Sequence, residues 1–392
     1  MTLGYTPTVA VFIPVWGLAS EVWMRRQMET FTRVKPTVFC WEREPEAPEP
    51  EGYEVESLGI PWMGGERKSL GHRLSVKAGL PHTAGPLPVE EEAIKRVLYD
   101  RGFSAVLCHF AWSAARVEPI ARTLKLGTLW HVHGDDVSKT LLEKAYRRHI
   151  ENLLPDAHVA AVGSHQLERL HQMGLKKQNA LLAPCGAPIE DFSKSPVPER
   201  HLKPIRFITV ARLSPEKGVT ESIRAFEIAQ QTLHNAEFFV IGDGPQRREI
   251  EKLAKQVGGV TLLGKQAPSR IAEELAHAHV FLQHSIAHEG KEEGFGVTIV
   301  EAAASGVPTI ASRIGGIPDQ IMHQRNGLLF EPGDVQQQAD MMRELARDEE
   351  RRLRMGREAR ELAPRFEVSA QTRKIEDKLL QLAGVSALGV IR

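Results

Sequence analysis

Cysteine is nearly absent. Cys40, Cys108 and Cys185 stand far apart, with no CxxC pair among them. That argues against a disulfide framework or a zinc site and for a reducing compartment. Net charge is absent as well: 50 Lys and Arg balance 50 Asp and Glu, so no global field draws the chain to nucleic acid or acidic lipid. Long apolar runs are missing too, and no window reaches the roughly 18 apolar residues of a membrane span. The first apolar run, Thr8–Val15, is short and has no basic segment before it, so it reads as a strand rather than a signal peptide.

What is present is an ordinary globular composition, 42% apolar and 26% charged over 392 residues. A chain of this length exceeds one ordinary core, and two domains of about 150–200 residues are expected. Buried-strand runs alternate with helical patterns in both halves. The first half gives strands at Thr8–Val15, Thr37–Trp41, Tyr53–Leu58, Ser104–Cys108, Gly127–Val132, His158–Val162 and Ala180–Pro184. The second gives Ile205–Ala211, Ala236–Ile241, Val260–Leu263, Val280–Gln283, Val307–Ala311 and Leu328–Phe330. Such alternation predicts an α/β protein with a parallel sheet in each half. The polar, Pro-rich stretch Asp191–Pro204 reads as the linker, and Ser164 as a helix N-cap. Arg67, Lys68, Arg73 and Lys77 lie in the segment Pro61–His82. They read either as a solvated helix face or as a contact for an anionic acceptor or a membrane surface.

The stretch Ala287–Ser305 carries the most chemistry. A charged loop ends in Gly294-Phe295-Gly296 and runs into a helical segment, Val297–Ala304. Glycines there allow close approach to a ligand, and the first helix N–H groups suit an anion. Glu293 and Glu301 bracket the helix start. Carboxylates hold phosphate poorly but accept sugar hydroxyls well, so the stretch reads either as a site for a molecule part phosphate and part polyol or as an ordinary helix N-terminus with solvated acids. Arg212 and Lys217 lie on a strand-to-helix loop and read as a diphosphate clamp or as surface cations. Gly242-Asp243-Gly244-Pro245 is a turn at another carboxyl strand end, and Gly315-Gly316 either approaches a ligand or turns the chain. His131-Val132-His133-Gly134-Asp135-Asp136 ends a strand at the edge where doubly wound sheets bind ligands, and its histidines read as ligand-site residues or as satisfied core or turn histidines. Asp135-Asp136 reads as a turn, and no acidic pair stands out as a metal holder.

The Glu293-x7-Glu301 spacing (EGFGVTIVE), with ARLSPEKG, IGDGP, GGIPDQI and HVHGDDVS elsewhere in the chain, resembles the retaining nucleotide-sugar glycosyltransferases of the GT-B fold. Sucrose synthases and bacterial mannosyltransferases belong to that family. The run HFAW…HVHGDDVS resembles the exopolysaccharide and lipopolysaccharide branch. The resemblance covers roughly residues 8 to 335 and implies two doubly wound Rossmann-like domains facing across a cleft. Residues 1–192 would form the acceptor-side domain and 205–365 the donor-binding domain. Residues 366–392 would form a C-terminal helix packing back on the first.

By position, the resemblance implies that Arg212 and Lys217 bind the donor diphosphate and Glu293 the donor-sugar hydroxyls. Glu301 would contact the ribose, and Gly294, Phe295, Gly296, Val297 and Thr298 would cover sugar and phosphate. His133 would lie near the reacting sugar. Gly17 would line the first loop, with Gly242 and Gly244 completing the donor site. The first loop, Trp16-Gly17-Leu18, is poorer in Gly than the family's, which puts its phosphate and acceptor contacts in doubt. Cys185 stands before Gly186 where the family has Asn, a change expected to matter little.

The implied activity is metal-independent transfer, with retention, from a nucleoside-diphosphate sugar to a glycan or lipid-linked acceptor. No cofactor and no nucleic acid are implied. The expected location is cytoplasmic, at the inner face of the membrane if the basic segments of the first domain make peripheral contact. A phosphorylase or nucleotide-sugar epimerase on the same fold, and a non-catalytic sugar-binding protein, are the alternatives.

Overall fold

The computed structural model describes residues 6–18, 21–62, 85–194 and 204–384. The basic residues Arg67, Lys68, Arg73 and Lys77 therefore lie outside the described residues. The chain divides into two compact units, one of residues 1–185 with 368–392 and one of residues 186–367.

Among the described residues the first unit holds seven strands: β1 (Thr8–Trp16), β2 (Lys35–Arg43), β3 (Glu54–Ser57), β4 (Ala105–His109), β5 (Gly127–Val132), β6 (His158–Ala161) and β7 (Ala180–Leu182). They pair in the order β3-β2-β1-β4-β5-β6-β7, and every pairing is parallel. The central strands are apolar on both faces because helices cover both sides. Val9, Ala10, Val11 and Phe12 on β1 and Val106, Leu107 and Cys108 on β4 are all buried.

The last described helix, Val368–Leu382, belongs to this unit. It buries Ile375 and Leu379 in the same core as Val9 and Val11. Its Glu376 is 1% exposed. One carboxylate oxygen of Glu376 accepts the backbone N–H groups of Thr32 at 2.8 Å, Arg33 at 2.6 Å and Val34 at 3.3 Å. Of these three donors Val34 N–H is buried and the other two, on exposed residues, are part-buried; an unsatisfied buried donor costs about 1–3 kcal/mol. Glu376→Ala is expected to lower the stability of this unit by about 1–3 kcal/mol, chiefly through the buried Val34 N–H. Denaturant unfolding checks it, and a loss below about 1 kcal/mol would show that the three N–H groups are satisfied otherwise.

The second unit holds β8 (Ile205–Val210), β9 (Ala236–Ile241), β10 (Val260–Gly264), β11 (Val280–Gln283), β12 (Thr309–Ser312) and β13 (Gly327–Phe330). Their order is β10-β9-β8-β11-β12-β13, again wholly parallel. Both sheets thus reverse direction once, between β1 and β4 and between β8 and β11. In doubly wound sheets the crevice outside the carboxyl ends of the strands at such a reversal is the ligand site. The loops that matter in the second unit are therefore those after Val210 and after Gln283.

Two readings of the sequence change here. Residues 186–192 cluster with the second unit rather than the first. The short helix Ile189–Ser193 is fastened there by Ile189 N–H donating to Glu367 at 3.0 Å, by Ala187 N–H donating to Phe366 O at 2.9 Å and by Arg360 donating to Ser193 O. Ser164 is the first helical residue and Gly163 the cap. Among the described residues no helix is long and apolar enough to cross a membrane.

Candidate active site

The loop after β8 carries Arg212 and Lys217 and is held from two sides. On one side Gly242, with φ +143°, runs beneath it. A Cβ on Gly242 would stand 1.8 Å from Ala211 O, and one on Gly244 would stand 2.4 Å from Leu213 O. Leu213 N–H donates to Asp243 O at 2.9 Å, and Gln246 N–H returns to Leu213 O at 2.9 Å. The two glycines expected to face a donor therefore have a second reason to be glycine: they let the β9 loop seat the Arg212 loop. On the other side Gly218, at φ +58°, abuts the loop after β11, where a Cβ would meet His284 O at 1.8 Å. Ile286 N–H donates to Glu216 O at 3.0 Å across the same junction. His284 is itself locked, its Nδ1 2.6 Å from Gln338 Oε1 and its Nε2 accepting the Gly333 N–H at 3.1 Å.

This bracing brings Lys217 to Glu293. Lys217 Nζ stands 2.6 Å from Glu293 Oε2, although 76 residues separate them. The same oxygen accepts from Ser285 Oγ at 2.9 Å and Gln283 Nε2 at 3.0 Å. The Glu293 side chain is 6% exposed and that of Lys217 25%. Burial alone would push the Glu293 carboxyl up. The Lys217 charge, with hydrogen bonds from Lys217, Ser285 and Gln283, outweighs it and holds the carboxyl below its usual range. Glu293 is thus an ionised acceptor at neutral pH. Ser285 and Gln283 were not singled out from the sequence, though their place at the end of β11 is the signal that finds them.

The loop that carries Glu293 is set by Gly315 and Gly316. Gly315 has φ +56°, and a Cβ there would lie 1.9 Å from Glu293 O, while Gly316 N–H donates to Glu293 O at 3.1 Å. Support of the Glu293 backbone was neither of the two sequence readings for this pair. Gly294 and Gly296 then lead into the helix Val297–Ala304, which starts after Gly296 at φ +87°. Val297 and Thr298 open that helix and are half-buried. Phe295 is buried against Phe366 with ring centroids 5.5 Å apart, so it offers backbone rather than ring to a ligand. Glu301 is buried at 6% exposure. Arg212 is exposed and has no ion-pair partner among the described residues. Asp243 is paired with Arg247 at 2.9 Å.

His133 and Gly17 lie in the other unit. Gly17, at φ +95°, packs against Ala47, which a Cβ would approach to 2.3 Å. His133 follows β5 and is half-buried. Its Nε2 lies 3.0 Å from His109 Nδ1, its Nδ1 lies 3.6 Å from Cys185 Sγ, and Trp23 lies over it with ring centroids 4.0 Å apart. Cys185, given no weight from the sequence, is therefore a neighbour of the histidine expected at the sugar. Asp136 fixes the turn: its buried carboxylate accepts from the N–H groups of Ala111 at 2.8 Å, Gly134 at 2.8 Å and His133 at 3.1 Å.

Residues 191–362 match the family described as Glycosyl transferases group 1. Among curated proteins, the Arabidopsis thaliana sulfoquinovosyl transferase SQD2 is 33% identical over 164 residues, 41% of this chain and 31% of that one. The N-acetyl-alpha-D-glucosaminyl L-malate synthase of Bacillus anthracis is 37% identical over 158 residues, 39% of each chain. The match thus spans less than two fifths of the length of either relative. A GDP-mannose-dependent phosphatidylinositol monomannoside mannosyltransferase of Mycobacterium tuberculosis is 27% identical over 291 residues, 70% of this chain and 75% of that one. Among solved structures, Anabaena HepE in complex with UDP superposes with a TM-score of 0.75 at 18% identity, covering 96% of this chain and 100% of that one. That likeness gives the fold, GT-B.

Proposed function

From a chain that carries a group 1 glycosyltransferase domain over residues 191–362 on a GT-B fold, we propose a glycosyltransferase that moves a sugar from a nucleoside diphosphate to a glycan or lipid-linked acceptor, with retention and without a metal at the leaving group. The observation that carries the reading is the Lys217–Glu293 pair, 2.6 Å apart in the loops that follow β8 and β11. One loop presents cations and the other an ionised acceptor beside a helix start. That combination suits a ligand with phosphate at one end and hydroxyls at the other.

In the proposed reaction the bond between the sugar C1 and the diphosphate oxygen breaks, and the charge that develops falls to Arg212, Lys217 and the first N–H groups of the helix Val297–Ala304. Glu293 holds sugar hydroxyls and Glu301 the ribose. The acceptor hydroxyl attacks C1 on the face that the leaving group departs from, its proton passing to a leaving phosphate oxygen. His133 is assigned to the transferred sugar. The mycobacterial relative is named for a GDP-mannose donor and a lipid acceptor, and the structural neighbour holds UDP, which supports the donor and acceptor classes. The chain's cysteines are unpaired thiols, in keeping with a cytoplasmic site of action. Exposed Lys144, Arg148 and Leu142 suit peripheral contact with an anionic membrane face.

The test is thermal unfolding with UDP, GDP and ADP and their sugars. A diphosphate at about a hundredfold its Kd adds about 2.7 kcal/mol, a rise of roughly 5–10 °C. Transfer with that donor must give a product whose anomeric configuration, read by NMR, equals the donor's. Protection by none of the three nucleotides would refute the reading. Turnover that required inorganic phosphate would favour a phosphorylase instead.

A further inference from the structure

His109, His131 and His133 of the first unit meet at the carboxyl ends of β4 and β5. Each offers a ring nitrogen within 4.8 Å of those of the other two. The ring centroids lie 4.4 Å apart for His131 and His133, and 5.3 Å apart for the other two pairs. His109 and His131 are fully buried, and His109 Nε2 and His131 Nδ1 have no hydrogen-bond partner among the described residues. A buried polar atom left unpaired costs about 1–3 kcal/mol, and His131 Nδ1, within a cluster that also holds His109 Nδ1 and His133 Nε2, is the atom that calls for a ligand.

The chemistry of the donors narrows what that ligand is. All three donors are imidazole nitrogens of buried or half-buried rings, where burial disfavours the charged form. Neutral imidazoles offer lone pairs and repel no cation. His131 Nε2 is 2.9 Å from Ala183 O. A backbone carbonyl that takes one ring N–H leaves the other nitrogen free to bind, the arrangement that orients metal-bound histidines. His109 Nδ1 and His133 Nε2 stand 3.0 Å apart. Two nitrogens bound about 2.0–2.1 Å from one tetrahedral ion stand roughly 3.3 Å apart, so little movement is needed. Cys185 Sγ, 3.6 Å from His133 Nδ1, supplies a thiol beside the cluster. Half-buried His133 connects it to solvent.

We propose that His109, His131 and His133 bind one divalent transition-metal ion of the zinc type. Imidazole favours zinc, cobalt or nickel over magnesium and calcium, which prefer oxygen. The scarcity of cysteine argued against zinc only on cysteine motifs; histidines from two strands carry no such spacing. The site lies in the unit that does not hold Arg212, Lys217 and Glu293, but it shares His133 with the reading that assigns that ring to the transferred sugar. An ion there would take the His133 ring.

The experiment uses the full chain, stripped with a chelator and titrated with Co2+ and then with Zn2+ against a chromophoric competitor. One equivalent is expected, with the strong visible absorption of tetrahedral cobalt, displaced by Zn2+. His131→Asn and His109→Gln, each checked for its melting temperature, are expected to weaken Zn2+ binding at least tenfold. X-ray absorption on zinc-loaded wild-type protein needs no variant and is expected to show a first shell of nitrogen with at most one sulfur. No bound equivalent in the wild type, octahedral cobalt, or unchanged affinity in a folded variant would overturn the proposal. None of these readouts depends on glycosyl transfer, so they stand whether or not the donor screen succeeds.

Discussion

Lys217→Ala is expected to lower kcat by about 10²–10³-fold, the usual cost of removing one group that stabilises developing charge. The substitution also strips a cation from Glu293, whose side chain is 6% exposed. Leaving one member of a buried pair uncompensated costs about 3–5 kcal/mol, and the quarter-exposure of Lys217 puts this case at the low end. Two effects are therefore expected at once, and they separate. In Lys217→Ala combined with Glu293→Gln no charge is left buried, so stability returns toward wild type. Turnover does not, because neither the phosphate cation nor the ionised acceptor is restored. Denaturant unfolding and steady-state kinetics on the single and double variants check this. Recovery of turnover in the double variant would show that Lys217 serves only to neutralise Glu293, and near-wild-type turnover in the single variant would end its assignment to the diphosphate.

Gly315→Ala is expected to lose both stability and donor binding. At φ +56° an Ala carries the left-handed penalty of about 1–2 kcal/mol. The added Cβ also falls 1.9 Å from the carbonyl oxygen of Glu293, and backbone cannot swing aside as the tip of a flexible side chain does. The Glu293 loop must shift, which moves its carboxylate from Lys217, Ser285 and Gln283. A total near 3 kcal/mol corresponds to roughly 6–12 °C for a unit of this size. Gly333→Ala is the control: its φ is +85° and nothing lies within 4 Å of the added Cβ, so only the backbone penalty applies. Melting curves with and without the protecting nucleotide decide. Equal losses in the two variants, or full nucleotide protection in Gly315→Ala, would show that the loop does not depend on this approach.

Much of this architecture was legible before the structure. The run Thr8–Val15 lies within β1, and the helix Val297–Ala304 has the bounds its pattern predicts. A parallel strand covered on both faces is apolar throughout, and a run such as Val280–Gln283 between charged helices leaves that mark in a short window. The glycines were legible as positions and not as contacts. Gly242, Gly244, Gly315 and Gly316 all stand where a donor-binding loop was expected, yet what presses against them is backbone from loops distant in sequence. Gly186–Phe192 was assigned to the wrong unit because the partners that hold it, Phe366 and Glu367, lie some 180 residues further on. The histidines were visible as HFAW and HVHG but not as a set, since His109 and His131 meet only through the pairing of β4 with β5.

The sequence by itself determined the two αβ repeats, the strand that ends each candidate loop and the residue types available there. These follow from local preference and from burial pattern, which are written along the chain. The tertiary structure alone decided which side chains share a charge. Strand order places β8 beside β11, so the loops bearing Lys217 and Glu293 face each other over a separation of 76 residues. It likewise places β4 beside β5, so three histidines share one buried cluster. Periodicity carries no record of strand order. It is fixed by how the helices cover the sheet, and chemistry between distant residues follows from it.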